Sequence, residues 1–166
     1  MKNDDREYLP HSPGCLLCGD ENPAGLRTRF FVVDKEVRAE VVIPKHMNGY
    51  KDVVHGGILA ALLDETMGWA AVAFGLSRSM FVTAELNVRY LRPVPAEEEI
   101  IVRSRLVNDL GRLVYCEGEL LHKDTVCVRG KGTFSPLGRQ SSAEVLSYLR
   151  FDGCNRFRDL FDGCGE

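Results

Sequence analysis

A chain of 166 residues, 45% of them hydrophobic, is long enough to bury one substantial core and too short to argue for two domains. Its formal net charge of −3 gives no global basic field, so nucleic acid is not expected as a partner. No run reaches the roughly 18 uninterrupted apolar residues of a membrane span, and the charged start MKNDDREYLPHSPG lacks the apolar middle of a secretory signal. No membrane partner and a cytoplasmic location are the expectations. The six cysteines (Cys15, Cys18, Cys116, Cys127, Cys154, Cys164) are scattered, which argues against a disulfide scaffold.

In chain order, residues 1–14 are polar and proline-punctuated and read as a flexible N-terminus. CLLCGDENPAGL gathers Gly, Asn and Pro into a turn, and LRTRFFVV and EVRAEVVIP follow as a hairpin of β-branched and aromatic residues. After the loop KHMNGYKD, residues 55–74 form an apolar run without internal proline that predicts a helix ending at GLSRS. MFVTAELNVRYL, EIIVRSRLVND, RLVYCEGELLHK and TVCVRGKGTFS are four strand-like runs joined by short turns, the pattern of antiparallel neighbours. In the first of them Leu86, Val88 and Tyr90 take the core phase, and Thr83, Glu85, Asn87 and Arg89 the opposite one.

A core domain over 15–136 precedes an extension over 137–166, where AEVLSYLRF suggests a short helix. This order predicts an α+β fold, an antiparallel β-sheet wrapped around a long central helix.

At about 100° per residue, Ile58, Leu59, Leu62, Leu63, Thr66, Met67, Trp69, Ala70, Ala73 and Phe74 share the arc that faces the sheet. Gly57, Ala60, Ala61, Asp64, Gly68 and Ala71 form the opposite arc, with Glu65 at the boundary. Small residues let another backbone or a narrow ligand approach, and a carboxylate among them suits chemistry. A solvated helix face accounts for both acids equally well on periodicity alone. Gly56 and Gly57 stand at the helix start, where N–H groups lack helical partners and can receive a ligand oxygen. His55, just before them, can orient a substrate or the loop.

HGGILAALLDE, TAELNVRYLRPVP and CLLCGDENPAGL together resemble the hotdog-fold acyl-CoA thioesterases of the phenylacetate-pathway and thioesterase-superfamily-member type, over residues 15–135. The resemblance implies thioester hydrolysis to free acid and CoA, with the Gly57 N–H as oxyanion donor and Asp64, nine positions after His55, as general base or nucleophile. Thr83 would position the water or the carboxylate, Glu65 is the backup acid, and Asn48 matches a polar loop residue found in some relatives. For the CoA phosphates the basic candidates are Arg89, Arg92, Lys123, Arg129 and Lys131, with Gly56 beside the thioester.

Gly57 and Asp64 are seven residues apart, a rise of roughly 10 Å, too far to serve one carbonyl. The resemblance supplies the solution, a homodimer or dimer of dimers in which antiparallel helices bring Gly57 of one chain to Asp64 of the other. The expected partner is the acyl-CoA substrate, without a cofactor.

Cys15 and Cys18 form a C-x-x-C that can be half of a metal site, completed by His11 or by Cys154 and Cys164, or a redox pair. The resemblance makes it a structural turn, and no metal is expected. A non-catalytic acyl-CoA-binding or regulatory hotdog protein is the alternative function.

Overall fold

The computed structural model describes residues 6–152 and Cys154. Strands β1 (Glu7–Tyr8), β2 (Phe31–Val33) and β3 (Glu36–Val42) are followed by a small hairpin, β4 (Asn48–Tyr50) with β5 (Val53–Val54). Helix α1 (Gly56–Phe74) comes next, then β6 (Phe81–Tyr90), β7 (Glu99–Asp109), β8 (Val114–His122), β9 (Thr125–Pro136) and helix α2 (Arg139–Tyr148). Seven strands form one sheet in the order β1-β2-β3-β7-β8-β9-β6, with every neighbouring pair antiparallel. Two of the hairpins turn on non-glycine pairs with positive φ, Asp34–Lys35 and Lys123–Asp124. That handedness matches the twist of the flanking strands.

Helix α1 lies across β3, β7, β8, β9 and β6, the single long helix on an antiparallel sheet that the hotdog resemblance implies. Leu62, Leu63 and Met67 are fully buried. They come close to the sheet because three facing strand positions have no side chain: a Cβ at Gly118 would stand 3.0 Å from Leu63 Cδ2, and one at Gly130 3.1 Å from Met67 Cε. At Gly132 it would collide with the Phe134 ring. The Ser104 hydroxyl of β7 also donates to Thr66 O of α1 at 2.7 Å, a buried bond that fixes the helix along its axis.

Two expectations change. Residues 6–14, expected to be flexible, pair with the body: β1 bonds β2, Leu9 is buried, and His11 bridges to Arg150. Ala71, which helical period puts on the arc opposite the sheet, is fully buried, with Trp69, Ala70 and Val72 buried beside it. Four consecutive buried residues sweep about 300° of the helix, so its last turns are enclosed nearly all round and a single apolar arc no longer describes them. By length and composition α1 is also apolar enough to cross a membrane, but half of that stretch is packed inside the protein. The short helix expected near AEVLSYLRF is α2.

Candidate active site

The chain enters α1 through the β4–β5 hairpin. Val54 N–H bonds Val94 O and His55 N–H bonds Met47 O, so the residue before the helix is pinned from both sides. His55 is the N-cap: its Nδ1 accepts from Gly57 N–H at 2.9 Å, and its carbonyl accepts from the N–H groups of Ile58 and Leu59. The donor expected to face a thioester is therefore engaged by an imidazole of its own chain.

His55 and Gly56 line a groove of about 570 Å³ with Tyr50, Tyr90, Arg92 and Val94. Tyr90 packs over Gly56 and its hydroxyl donates to Gly56 O at 2.8 Å. Alternation in β6 places Tyr90 in the core, whereas the ring is half exposed at the helix entrance. Asn48 stands opposite Val54, and its Oδ1 is buried without a hydrogen-bond partner among the described residues.

Two turns along α1, Asp64 Oδ1 accepts from the Thr83 hydroxyl at 2.8 Å. Simple alternation puts Thr83 on the outward phase of β6, and a bulge reverses this. Thr83 pairs with Phe134 and Glu85 with Thr133, leaving Ala84 unpaired. Cross-strand partners share a face, and Phe134 is a core residue, so Thr83 turns toward the helix while Glu85 keeps the outer phase.

Glu65 takes a different direction. Its Oε2 is 3.2 Å from Cys15 Sγ, and the metal-ligating atoms of Cys15, Cys18 and Glu65 lie within 4.8 Å of one another. A hydrogen bond from Cys18 holds the Cys15 thiol down at about 5, with help from the backbone N–H groups of Cys18 and Leu17. The Cys18 thiol is pushed up by donating that bond and by burial. Burial raises the Glu65 carboxyl to about 8, and the neighbouring Cys15 charge adds to it. Neither His11 nor Cys154 belongs to this cluster, and Cys164 lies outside the described residues. The two adjacent acids, about 100° apart around α1, thus turn to different partners, a split visible only once the tertiary structure is known.

The basic candidates also separate. Arg92 flanks the groove at His55, with Nη1 donating to Val126 O at 3.0 Å. Arg89 and Lys131 instead stand on the outer face of the sheet with Arg129, Glu117 and Glu119, where Lys131 pairs with Glu117 at 3.3 Å.

Residues 51–128 match the thioesterase superfamily. Mouse acyl-coenzyme A thioesterase THEM4 is 30% identical over 94 residues, which cover 55% of this chain and 39% of that protein. The chain thus spans well under half the length of this curated relative. Among solved structures, a protein of the thioesterase superfamily is 31% identical with a TM-score of 0.67, over 74% of this chain and 60% of the other. A conserved protein from Pseudomonas aeruginosa is 30% identical with a TM-score of 0.58, over 63% of this chain and 82% of the other. A central helix opened by His55-Gly56-Gly57, a carboxylate held by Thr83 across a strand bulge, and these likenesses converge: residues 51–128 match the thioesterase superfamily, on the fold its solved members share.

Proposed function

We propose that the chain hydrolyses acyl-CoA thioesters to free acid and CoA. The observation that carries this reading is the Thr83–Asp64 hydrogen bond, which holds a half-buried carboxylate on the small-residue side of α1. The hydroxyl occupies Oδ1 and orients the carboxylate, so that Oδ2 can take a proton from an attacking water or itself attack the carbonyl. Asp64, rather than Glu65, is the reactive acid, since Glu65 is turned to the cysteine loop.

The site is completed by a second copy of the chain. Gly57 and Asp64 are too far apart along one helix, and the exposed, ten-residue β6 closes one edge of the sheet with its outer side unpaired among the described residues. Such an edge invites pairing with another copy. The side of α1 carrying Ala60, Ala61, Asp64 and Gly68 keeps partial exposure that an antiparallel helix would cover. The thioester oxygen would reach Gly57 N–H by sharing it with His55 Nδ1 or by displacing the ring, in the positively polarised first turn of the helix. Arg92 stands at the groove where CoA phosphates would enter.

The test is CoA release from a panel of acyl-CoA esters, paired with binding of a non-hydrolysable acyl-CoA analogue. Asp64→Asn should lower kcat by about a hundredfold or more while analogue binding persists, because shape is kept and the base is lost. The capped Gly57 N–H favours one competing reading, an acyl-CoA-binding protein without catalysis. Analogue binding by a wild type that releases no CoA from any ester would establish that reading instead.

A further inference from the structure

Cys15, Cys18 and Glu65 have no part in the hydrolytic reading, yet they bring two thiols and a carboxylate together behind the reactive helix. We propose that these three side chains bind one divalent transition-metal ion of the zinc class, which fastens the N-terminal loop to the centre of α1.

The donor set fits such an ion. Zinc bonds of about 2.3 Å to sulfur and 2.0–2.2 Å to oxygen set tetrahedral ligand atoms roughly 3.3–3.8 Å apart. The three donor atoms already lie within 4.8 Å of one another, with Cys15 Sγ and Glu65 Oε2 at 3.2 Å, so closure needs shifts of no more than about 1–1.5 Å. Two sulfurs with one carboxylate suit zinc and disfavour magnesium or calcium, which take all-oxygen shells. Three protein ligands leave the fourth position to water.

The loop is shaped for a metal-bound thiolate. Leu17 N–H and Cys18 N–H both point at Cys15 Sγ, at 3.2 and 3.4 Å, and bonds of this kind favour sulfur carrying negative charge. Gly19 N–H returns to Cys15 O at 3.1 Å and closes the turn. Only glycine fits there, because a Cβ would collide with the carbonyl oxygens of both Pro13 and Cys15. Both sulfurs are thereby presented to the same side of the turn, toward Glu65.

Charge supplies the third reason. Glu65 has no Lys, Arg or His ion-pair partner among the described residues. Once both sulfurs give up their protons to bind metal, two thiolates and a carboxylate place three negative charges together, which a protein interior does not hold without a cation. A dication offsets most of that charge and orders the donors at the same time.

The experiment uses the full chain. Protein produced in zinc-supplemented medium is desalted and its metal content measured by elemental analysis; the metal-free protein is then titrated with Co(II), reading thiolate-to-cobalt charge-transfer absorption. The wild type should hold one metal ion per chain, and its thermal unfolding midpoint should rise with added zinc. Cys15→Ser and Cys18→Ser should each lose about half of the charge-transfer intensity or fail to bind, as one of two thiolate ligands is removed. Glu65→Gln keeps both sulfurs and nearly the same shape. It should weaken Co(II) affinity by at least about tenfold, since losing a direct ligand costs no less than losing an outer hydrogen bond to one. A wild-type protein that retains no zinc and shows no charge transfer in excess Co(II) overturns the proposal, and that measurement needs no variant to fold. Glu65→Gln binding as tightly as wild type, or isolation of Cys15 and Cys18 as a disulfide under reducing purification, overturns it as well.

Discussion

Replacing Thr83 by Val removes the hydroxyl that holds Asp64 Oδ1 while keeping the side-chain volume and the bulge. If Thr83 acts as proposed, by orienting the carboxylate, kcat should fall about ten- to a hundredfold with KM nearly unchanged, and Thr83→Ser should restore most of the rate. A Ser variant as slow as the Val variant would show that the methyl group, not the hydroxyl, matters at this position. The same residue marks a limit of sequence reading. Alternation along β6 puts Thr83 on the outward face, and only the unpaired Ala84 turns it inward. Resemblance to a family named Thr83 although the local pattern pointed away from it. Glu65 was legible only as an acid beside the apolar arc, since its partners lie 50 and 47 positions earlier in the chain, at Cys15 and Cys18.

The seating of α1 depends on strand positions that lack side chains. A Cβ at Gly118 would meet Leu63 Cδ2 at 3.0 Å, Met67 Cγ at 3.2 Å and the Arg103 carbonyl oxygen at 3.3 Å. At Gly130 the nearest atom is Met67 Cε at 3.1 Å, the free end of a flexible side chain, which can move aside. Gly118→Ala should therefore cost about 1–3 kcal/mol by overpacking, and Gly130→Ala less. Urea unfolding of the two variants measures both, and an equal or reversed order would contradict this packing. Element positions were legible because period and turn chemistry agreed: the run EIIVRSRLVND coincides with β7, and residues 55–74 become α1 apart from the capping His55. Local patterns failed where distant chain closes over an element. The enclosed last turns of α1 hide Ala71, and the pairing of β1 with β2 orders a segment whose own composition reads as flexible.

For the whole molecule, one chain presents the carboxylate proposed to react and a helix N-terminus at places that cannot meet on the same helix. Both remain accessible because β6 forms an edge and the small-residue side of α1 is only partly covered. The seven-residue separation of Gly57 and Asp64 was legible in the sequence, whereas the His55 cap on Gly57 N–H was not, since it depends on the ring's orientation. The basic residues proposed for CoA divide for a similar reason. Strand alternation sends Arg89 and Lys131 to the outer face, and Arg92, beyond the end of β6, stands at the groove.

Complementation between two variant chains, each expected to be inactive, tests the proposed shared site most directly. Asp64→Asn removes the acid, and Gly57→Pro removes the backbone donor at a first-turn position where proline is tolerated. Each mixed dimer then carries one site with both changes and one with neither. A 1:1 co-refolded mixture should recover about a quarter of the wild-type CoA release, since about half of the dimers are mixed and each has one intact site. Subunit exchange confirmed by mass, with CoA release no higher than that of the separate variants although Gly57→Pro alone unfolds at the wild-type midpoint, would contradict a site built from Gly57 of one chain and Asp64 of the other.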